Sequence, residues 1–356
     1  MKHKSLRVLL LSDSRAFHTE RIALELRCQG CTILVASLER GEMHHFHLKP
    51  RGPIKKLHYA FASLQVRSLI ERFRPDVINA HYASGYGFMA AQAIRKLPVP
   101  LVTNLWGSDI LIVPQISTLH RLKTIRALKA ASHVLADSQY LLIEARKLFD
   151  FNSGTVIPWG VERNYISADP GPAPSSLPLK IIVPRPHASV YNNEFILSSV
   201  RDLVRANKIN ITFPNFGTDL DQFKTQAGNL LEHGVSLYGR MGRREFVSFV
   251  AGYDVYLSAS RSDSSPASLI ESMGLGLISV VADIKGVREW ASNGGCVTFT
   301  QDDPESLCDA LQKVIENPAQ FDEMRFQNHT RVKTEACFED NIATQIKIMN
   351  NLAGRG

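Results

Sequence analysis

The 356-residue sequence predicts an α/β protein made of two doubly wound domains in tandem, each a parallel sheet with helices on both faces. Three observations predict it. Short, nearly continuous apolar runs alternate with helical patterns, as strands buried on both faces of a parallel sheet require. A break rich in proline, glycine and serine, "SADPGPAPSSLP" from Ser167 to Pro178, interrupts that alternation and reads as a linker. The length exceeds the usual size of one domain, and a 44% hydrophobic composition can fill a full core.

The elements follow in order. "LRVLLLS" (Leu6 to Ser12) is a buried strand, "SDSRAFH" a loop, Thr19 to Gln29 an amphipathic helix closed by Gly30, and "TILVAS" the next strand. "DVINA" then leads through the loop "HYASG" into a helix over "YGFMAAQAIRKL", and "PLVTNL" leads through "WGSD" into another. After the break, "LKIIV", "INITFP", "VSLYG", "YDVYLSAS" and "LISVVAD" are strands between loops and helices. These bounds give an N-terminal domain over residues 1–166, a linker over 167–178 and a C-terminal domain over 179–339. The last helix, 340–356, is expected to return to the first domain.

Composition narrows the functions. The start, "MKHKSLRVLLLSDS", places basic residues before an apolar run, but Asp13 cuts that run too early for a signal sequence. No stretch reaches the length of an apolar membrane span, so a cytoplasmic protein is expected. Five cysteines do not describe a disulfide framework, and Cys28 and Cys31, a CxxC across a helix end, read as structural residues ahead of a metal or redox pair. A net charge of +7 and a pI near 9.1 fit an anionic partner. Without zinc-finger spacing, or aromatics interleaved with Arg and Lys, nucleic acid is set aside. Basic residues gather around Lys49 to Lys56 and at His120, Arg121, Lys123, Arg126 and Lys129, where a solvated face is favoured over a membrane-surface patch.

The richest stretch is "SRSDSSPASLIESMGLG", Ser260 to Gly276. Open parallel sheets bind ligands beyond the carboxyl ends of their strands, where this loop and helix lie. Pro266 fits the first helical position with Ser265 as cap, and the backbone N–H groups of Ala267, Ser268 and Leu269 at such a helix start favour a phosphate. Asp263 suits sugar hydroxyls, and Glu271, eight residues on, can accept from the diol of a ribose. A polar loop capping a helix with one solvated acid explains these residues equally well. Arg185, in "VPRPHASVYNN", offers a planar fork for a diphosphate. No paired acids suit a divalent cation, so neither metal nor other cofactor is expected. Asp13, Ser14, His18 and His81 follow strands in the first domain and are candidates for contact with an acceptor.

The strand, acidic loop, helix-borne Glu271 and following "GLGLISVVADIKGVREW" resemble the donor motif of retaining glycosyltransferases of the family 4 type, Glu, seven residues, Glu, with Asp263 at the first position. The resemblance runs along the chain through "LLLSDSRAFHTERIALELRCQGC", "VINAHYASGYG", "ADSQYLL", "VIPWGVE" and "YGRMGRREFVSFVAGYDVYLSAS". It implies the GT-B fold, two facing Rossmann-like domains with an interdomain cleft. It also implies a nucleotide-diphosphate sugar as co-substrate, a glycan or lipid-linked acceptor, retention at the anomeric carbon, and contact with an anionic membrane where the acceptor is lipid-linked. Asp263, Glu271 and Arg185 become the catalytic set. Ser264, Ser265, Ala267, Ser268, Leu269, Gly239, Arg240 and Asn192 become the donor-binding set, and Trp106, Gly107 and Asp109 join the acceptor side. Tyr191 and Asn192 stand where the family often has a Lys, and Trp106 where it has a His. A nucleotide-sugar epimerase of the same fold and a non-catalytic sugar-nucleotide-binding protein are the alternatives. A dinucleotide-dependent dehydrogenase is set aside because "SDSRAFH" lacks Gly-x-Gly-x-x-Gly.

Overall fold

A computed structural model describes residues 5–49, 55–166, 169–174 and 176–355, with the backbone alone for 55–60. The chain divides into two compact units, one of Met1–Pro158 with Glu339–Gly356 and one of Trp159–Phe338.

The first unit holds seven parallel strands: β1 (Arg7–Leu11), β2 (Thr32–Ser37), β3 (Phe46–His47), β4 (Val77–His81), β5 (Leu101–Asn104), β6 (His133–Ala136) and β7 (Gly154–Val156), in the order β3-β2-β1-β4-β5-β6-β7. The second holds six: β8 (Leu179–Ile182), β9 (Ile209–Pro214), β10 (Val235–Tyr238), β11 (Val255–Ser258), β12 (Ile278–Ala282) and β13 (Val297–Phe299), in the order β10-β9-β8-β11-β12-β13 and all parallel. Strand order reverses between β1 and β4 in one sheet and between β8 and β11 in the other. Ligands of doubly wound sheets bind at such switch points.

The burial of β1, β4, β11 and β12 shows why their sequences lack alternation: nearly every residue of each is covered, because helices close both faces. The first helix runs Phe17–Cys28, two residues earlier than expected at its start, and Gly30 (φ 88°) turns the chain toward β2. None of the five cysteines is in a disulfide, and burial pushes the Cys31 thiol above its ordinary range.

Three expectations need correction. The boundary lies between Pro158 and Trp159 rather than after residue 166, because Val161 pairs with Cys337 and both Val161 and Ile166 sit in the second unit's core. The proline-rich segment is not a free linker along its described residues. Pro170 packs over Gly276, and Arg325 donates to the carbonyls of both Gly171 and Gly276; Ser167, Ala168 and Ser175 lie outside the described residues. The "HYASG" loop is instead a π-helical turn, Tyr82–Gly87, that runs into the helix Phe88–Ala93. Its start is held by Asp109, whose Oδ2 accepts from the Ala83 N–H at 2.7 Å. In the last segment, Asn341 donates to the Pro158 carbonyl at 2.9 Å and Arg355 pairs with Asp76 at 2.7 Å, both within the first unit.

Candidate active site

In the second unit one arginine–carboxylate pair forms beyond the carboxyl ends of β8 and β11, and a second joins the helices that follow β10 and β11. Arg185, just beyond β8, reaches the Asp263 carboxylate from the loop that follows β11. The Arg185 guanidinium lies 4.2 Å over the Tyr191 ring and is 3.4 Å from Ser268 Oγ, which in turn is 3.0 Å from the Tyr256 hydroxyl. Both partners of the pair are mostly covered, 13% and 16% exposed, so Arg185 is not a solvated residue between two prolines. Burial works against its charge, yet Asp263, with Tyr256 and Tyr191, outweighs that and holds its pKa above the ordinary value. Arg185 Nε is buried without a partner among the described residues, a donor left unfinished in the midst of an anion-suited group.

Glu271 forms the second pair, 2.6 Å from Arg243, which also pairs with Glu162 at 2.7 Å. Burial opposes the Arg243 charge and the two glutamates reverse the effect, raising its pKa. The sequence reading missed Arg243 and Glu162. Arg243 stands three residues after Arg240 in a stretch already singled out, but Arg240 is exposed and lies over the Phe216 ring at 4.5 Å. Nothing local distinguishes the two arginines, because Glu162 is 81 residues away from Arg243.

The helix carrying Glu271 spans Ala267–Gly274, so Pro266 is its cap position and not its first residue. No side chain caps it. Ser265 Oγ accepts from Trp290 Nε1 at 3.1 Å instead, which corrects the expected cap. Ser264 and Ser265 are buried, and Ser264 N–H donates to Asp263 Oδ1 at 3.0 Å. Leu269 is fully buried in the core and donates its N–H to the Pro266 carbonyl, so it offers nothing to a ligand. Ala267 and Ser268 are partly exposed and Gly239 exposed. Asn192, at φ 59°, donates to Asp302 at 2.7 Å and so fastens its loop. Gly286 closes over the acidic loop: a Cβ there would stand 1.9 Å from the Asp263 carbonyl oxygen.

In the first unit, the carboxyl ends of β1, β4 and β5 gather His18, His81, Tyr82 and Trp106. Trp106 stacks on Tyr82 at 5.2 Å and meets His81 at 4.8 Å and His18 at 5.4 Å. His81 is fully buried, its Nδ1 is 2.8 Å from Ser12 Oγ, and Ser12 Oγ is 2.7 Å from Thr19 Oγ1. Its Nε2 has no partner among the described residues. Burial, with His18 beside it, pushes the imidazole down to about 3. Tyr82 (φ 63°), within this cluster, and Gly107 (φ 99°), next to Trp106 in the chain, adopt positive-φ backbone, as residues at binding sites often do.

Burial covers Asp109 and Ser14 among the acceptor-side candidates, as it does His81, whereas Asp13 stays partly exposed. Asp109 is covered, and its carboxylate accepts from the N–H groups of Ala83 and Trp106, so it clasps the two loops together. Burial pushes its pKa up to about 6 against those donors. Ser14 is also covered, donating to the Glu39 carbonyl and accepting from the Gly41 N–H. Asp13 pairs with Arg15 at 2.9 Å, and although burial would raise its pKa, the arginine lowers it. His18 and Trp106 remain partly exposed.

Among the described residues, no group of three or more His, Cys, Asp and Glu side chains is placed to hold a metal ion. Nor is any helix among them long and apolar enough to cross a membrane.

The family model described as Glycosyl transferase 4-like matches residues 7–138, and that described as Glycosyl transferases group 1 matches residues 181–317. The second match spans β8 to the helix Pro304–Glu316 and so contains both arginine–carboxylate pairs apart from Glu162. The chain belongs to the family 4 type of group 1 glycosyltransferases. A glycosyltransferase of Bacillus subtilis strain 168, TuaC, provisionally assigned to teichuronic acid biosynthesis, is 26% identical over 268 residues, 72% of this chain and 66% of its own length. Among solved structures, a glycosyltransferase from Rickettsia africae ESF-5 superposes with a TM-score of 0.80 at 14% identity, over 99% of this chain and 100% of its own. Anabaena Alr3699/HepE in complex with UDP-glucose gives 0.79 at 16% identity, over 97% and 99%. The fold of this group 1 chain is GT-B.

Proposed function

We propose that the chain transfers a sugar from a nucleotide-diphosphate sugar to a glycan or lipid-linked acceptor in cell-envelope polysaccharide synthesis, in the cytoplasm and with retention at the anomeric carbon. The observation that carries this reading is the pairing of Arg185 with Asp263 at the switch point of the second sheet, together with that of Arg243 with Glu271 on the helix that follows. A leaving nucleoside diphosphate develops negative charge, and preorganised guanidinium groups in a water-poor site stabilise it without reorganising. Asp263 holds Arg185 charged and aimed until the diphosphate arrives, then accepts from hydroxyls of the donor sugar. Arg243 fixes the Glu271 carboxylate so that its free oxygen can take both hydroxyls of the ribose. With Arg185 in place, turnover needs no divalent cation. The first unit contributes the acceptor side, with the partly exposed Trp106 and His18 as its contacts.

TuaC's assignment favours an envelope polysaccharide, and the HepE complex favours a uridine nucleotide with glucose as the first donor to try. The test is a thermal-shift and turnover panel of UDP-, GDP-, ADP- and CMP-sugars in EDTA, with the anomeric configuration of the product read by NMR. One donor is expected to stabilise the protein clearly, since binding stabilises in proportion to occupancy. Inverted product would remove retention, and loss of activity in EDTA would show that a metal takes part.

A further inference from the structure

We infer that His187 and Asn193 are positioning residues for Arg185, a hydrogen-bond chain that fixes the backbone from which its guanidinium reaches a nucleoside diphosphate. The role rests on Arg185 being the group that meets that diphosphate. Both positioning side chains are fully buried. Asn193 opens the helix Asn193–Ser199, and its Nδ2 is 2.9 Å from the Arg185 carbonyl oxygen and 3.3 Å from His187 Nδ1. His187 Nε2 is 2.7 Å from the carbonyl of Pro214, the last residue of β9.

Each proton in the chain is fixed by its partner. The Pro214 carbonyl only accepts, so His187 Nε2 carries the hydrogen. A neutral ring then has a bare Nδ1, which accepts from Asn193, and the second Asn193 N–H donates to the Arg185 carbonyl. Burial, with Lys224, holds the imidazole below its ordinary pKa against the Pro214 carbonyl and the Glu194 and Asp219 carboxylates. The arrangement leaves Asn193 Oδ1 buried and without a partner among the described residues. An unpaired buried oxygen costs stability, and here it follows from committing both N–H groups to His187 and Arg185.

The backbone around His187 is held as closely. Its N–H donates to the Phe216 carbonyl and its carbonyl accepts from the Asp219 N–H, both at 3.1 Å, while its ring lies 4.1 Å from that of Phe223. A Cβ on Gly217 (φ 136°) would stand 2.2 Å from the His187 carbonyl oxygen, so the loops after β8 and β9 meet backbone to backbone. Pro184 and Pro186 have no N–H to offer, which leaves Arg185 to anchor this stretch. Asp263 tethers the Arg185 side chain only until a diphosphate displaces it, whereas the hold on the carbonyl stays.

The test is calorimetric titration of UDP, GDP, ADP and CDP into the full chain and its variants, with NMR of protein labelled at the histidine nitrogens. His187→Phe keeps a ring against Phe223 and loses both hydrogen bonds, Asn193→Leu breaks the chain at its other link, and His187→Gln supplies a donor and an acceptor at similar spacing. His187→Phe and Asn193→Leu are each expected to weaken binding of the nucleotide that wild type takes by roughly tenfold, the worth of one positioned hydrogen bond. His187→Gln should restore it. In an Arg185→Ala background neither loss should recur, which a general loosening of the fold would not reproduce. The His187 resonances should report a hydrogen on Nε2 and none on Nδ1. Wild-type affinity in both broken variants, the same loss with and without Arg185, His187→Gln as weak as His187→Phe, or a hydrogen on Nδ1 would each overturn the inference while Arg185→Ala still weakens binding. Should His187→Phe not fold, Asn193→Leu carries the same readings. Wild-type affinity in Arg185→Ala, or no binding of any of the four nucleotides, would instead remove Arg185 from the diphosphate, and the positioning role with it.

Discussion

Asp263 holds Arg185 charged where little water reaches, and that makes the loss of the arginine consequential. Arg185→Ala removes the group aimed at the developing charge and is expected to lower turnover by on the order of 10²-fold or more. Arg185→Lys should recover only part, because a point charge cannot reproduce the planar fork. Turnover in EDTA checks both. At Glu271 and Arg243 the losses are unequal. Arg243→Ala strands Glu271 and Glu162 together, and leaving a buried charge unpaired costs about 3–5 kcal/mol. Glu271→Ala leaves Arg243 its second partner, so a loss of roughly 1–3 kcal/mol is expected, together with weaker nucleotide binding. Urea unfolding of the two variants tests the order. Equal stabilities would show that Glu162 does not hold Arg243 in solution.

At the scale of elements, the strands were legible because helices cover both faces of each sheet and force nearly continuous apolar runs. The acidic loop and its helix were legible because Asp263 and Glu271 lie close in sequence. What stayed hidden depends on partners far along the chain: Trp290 taking Ser265 from its expected cap role, Glu162 selecting Arg243 over Arg240, and Asp109 capping the turn after β4. Two loops give tests. Gly286→Ala forces a Cβ onto the Asp263 carbonyl, backbone that cannot yield locally, so donor turnover should fall even where Arg185 is intact. Unchanged turnover would mean that the loop shifts freely. The clasp after β4 and β5 predicts opposing pH effects. From about pH 4 to 6, unfolded His81 is protonated and folded His81 is not, so its contribution to stability rises with pH. Over the same range folded Asp109 keeps a proton that the unfolded chain has released, so its contribution falls. Each slope approaches about 1.4 kcal/mol per pH unit, and in wild type they nearly cancel. His81→Gln should expose the falling slope and Asp109→Asn the rising one in denaturant titrations. A flat profile in both variants would remove burial as the cause.

At the scale of the whole molecule, two tandem units of similar kind followed from the rhythm of strands and helices, whereas the boundary at Pro158 did not. Proline and glycine promised a linker, but Pro170 found a surface in the flat face of Gly276 and Arg325 found the carbonyls on either side. The proposed function gives the second unit one central task, to hold a nucleoside diphosphate by Arg185 with Glu271 on its ribose. Calorimetric titration of UDP, GDP, ADP and CDP into wild type and Arg185→Ala, both in EDTA, tests that most directly. One nucleotide is expected to bind wild type without metal and to bind Arg185→Ala at least tenfold more weakly. Equal affinity for the two proteins, or no binding of any of the four, would contradict it.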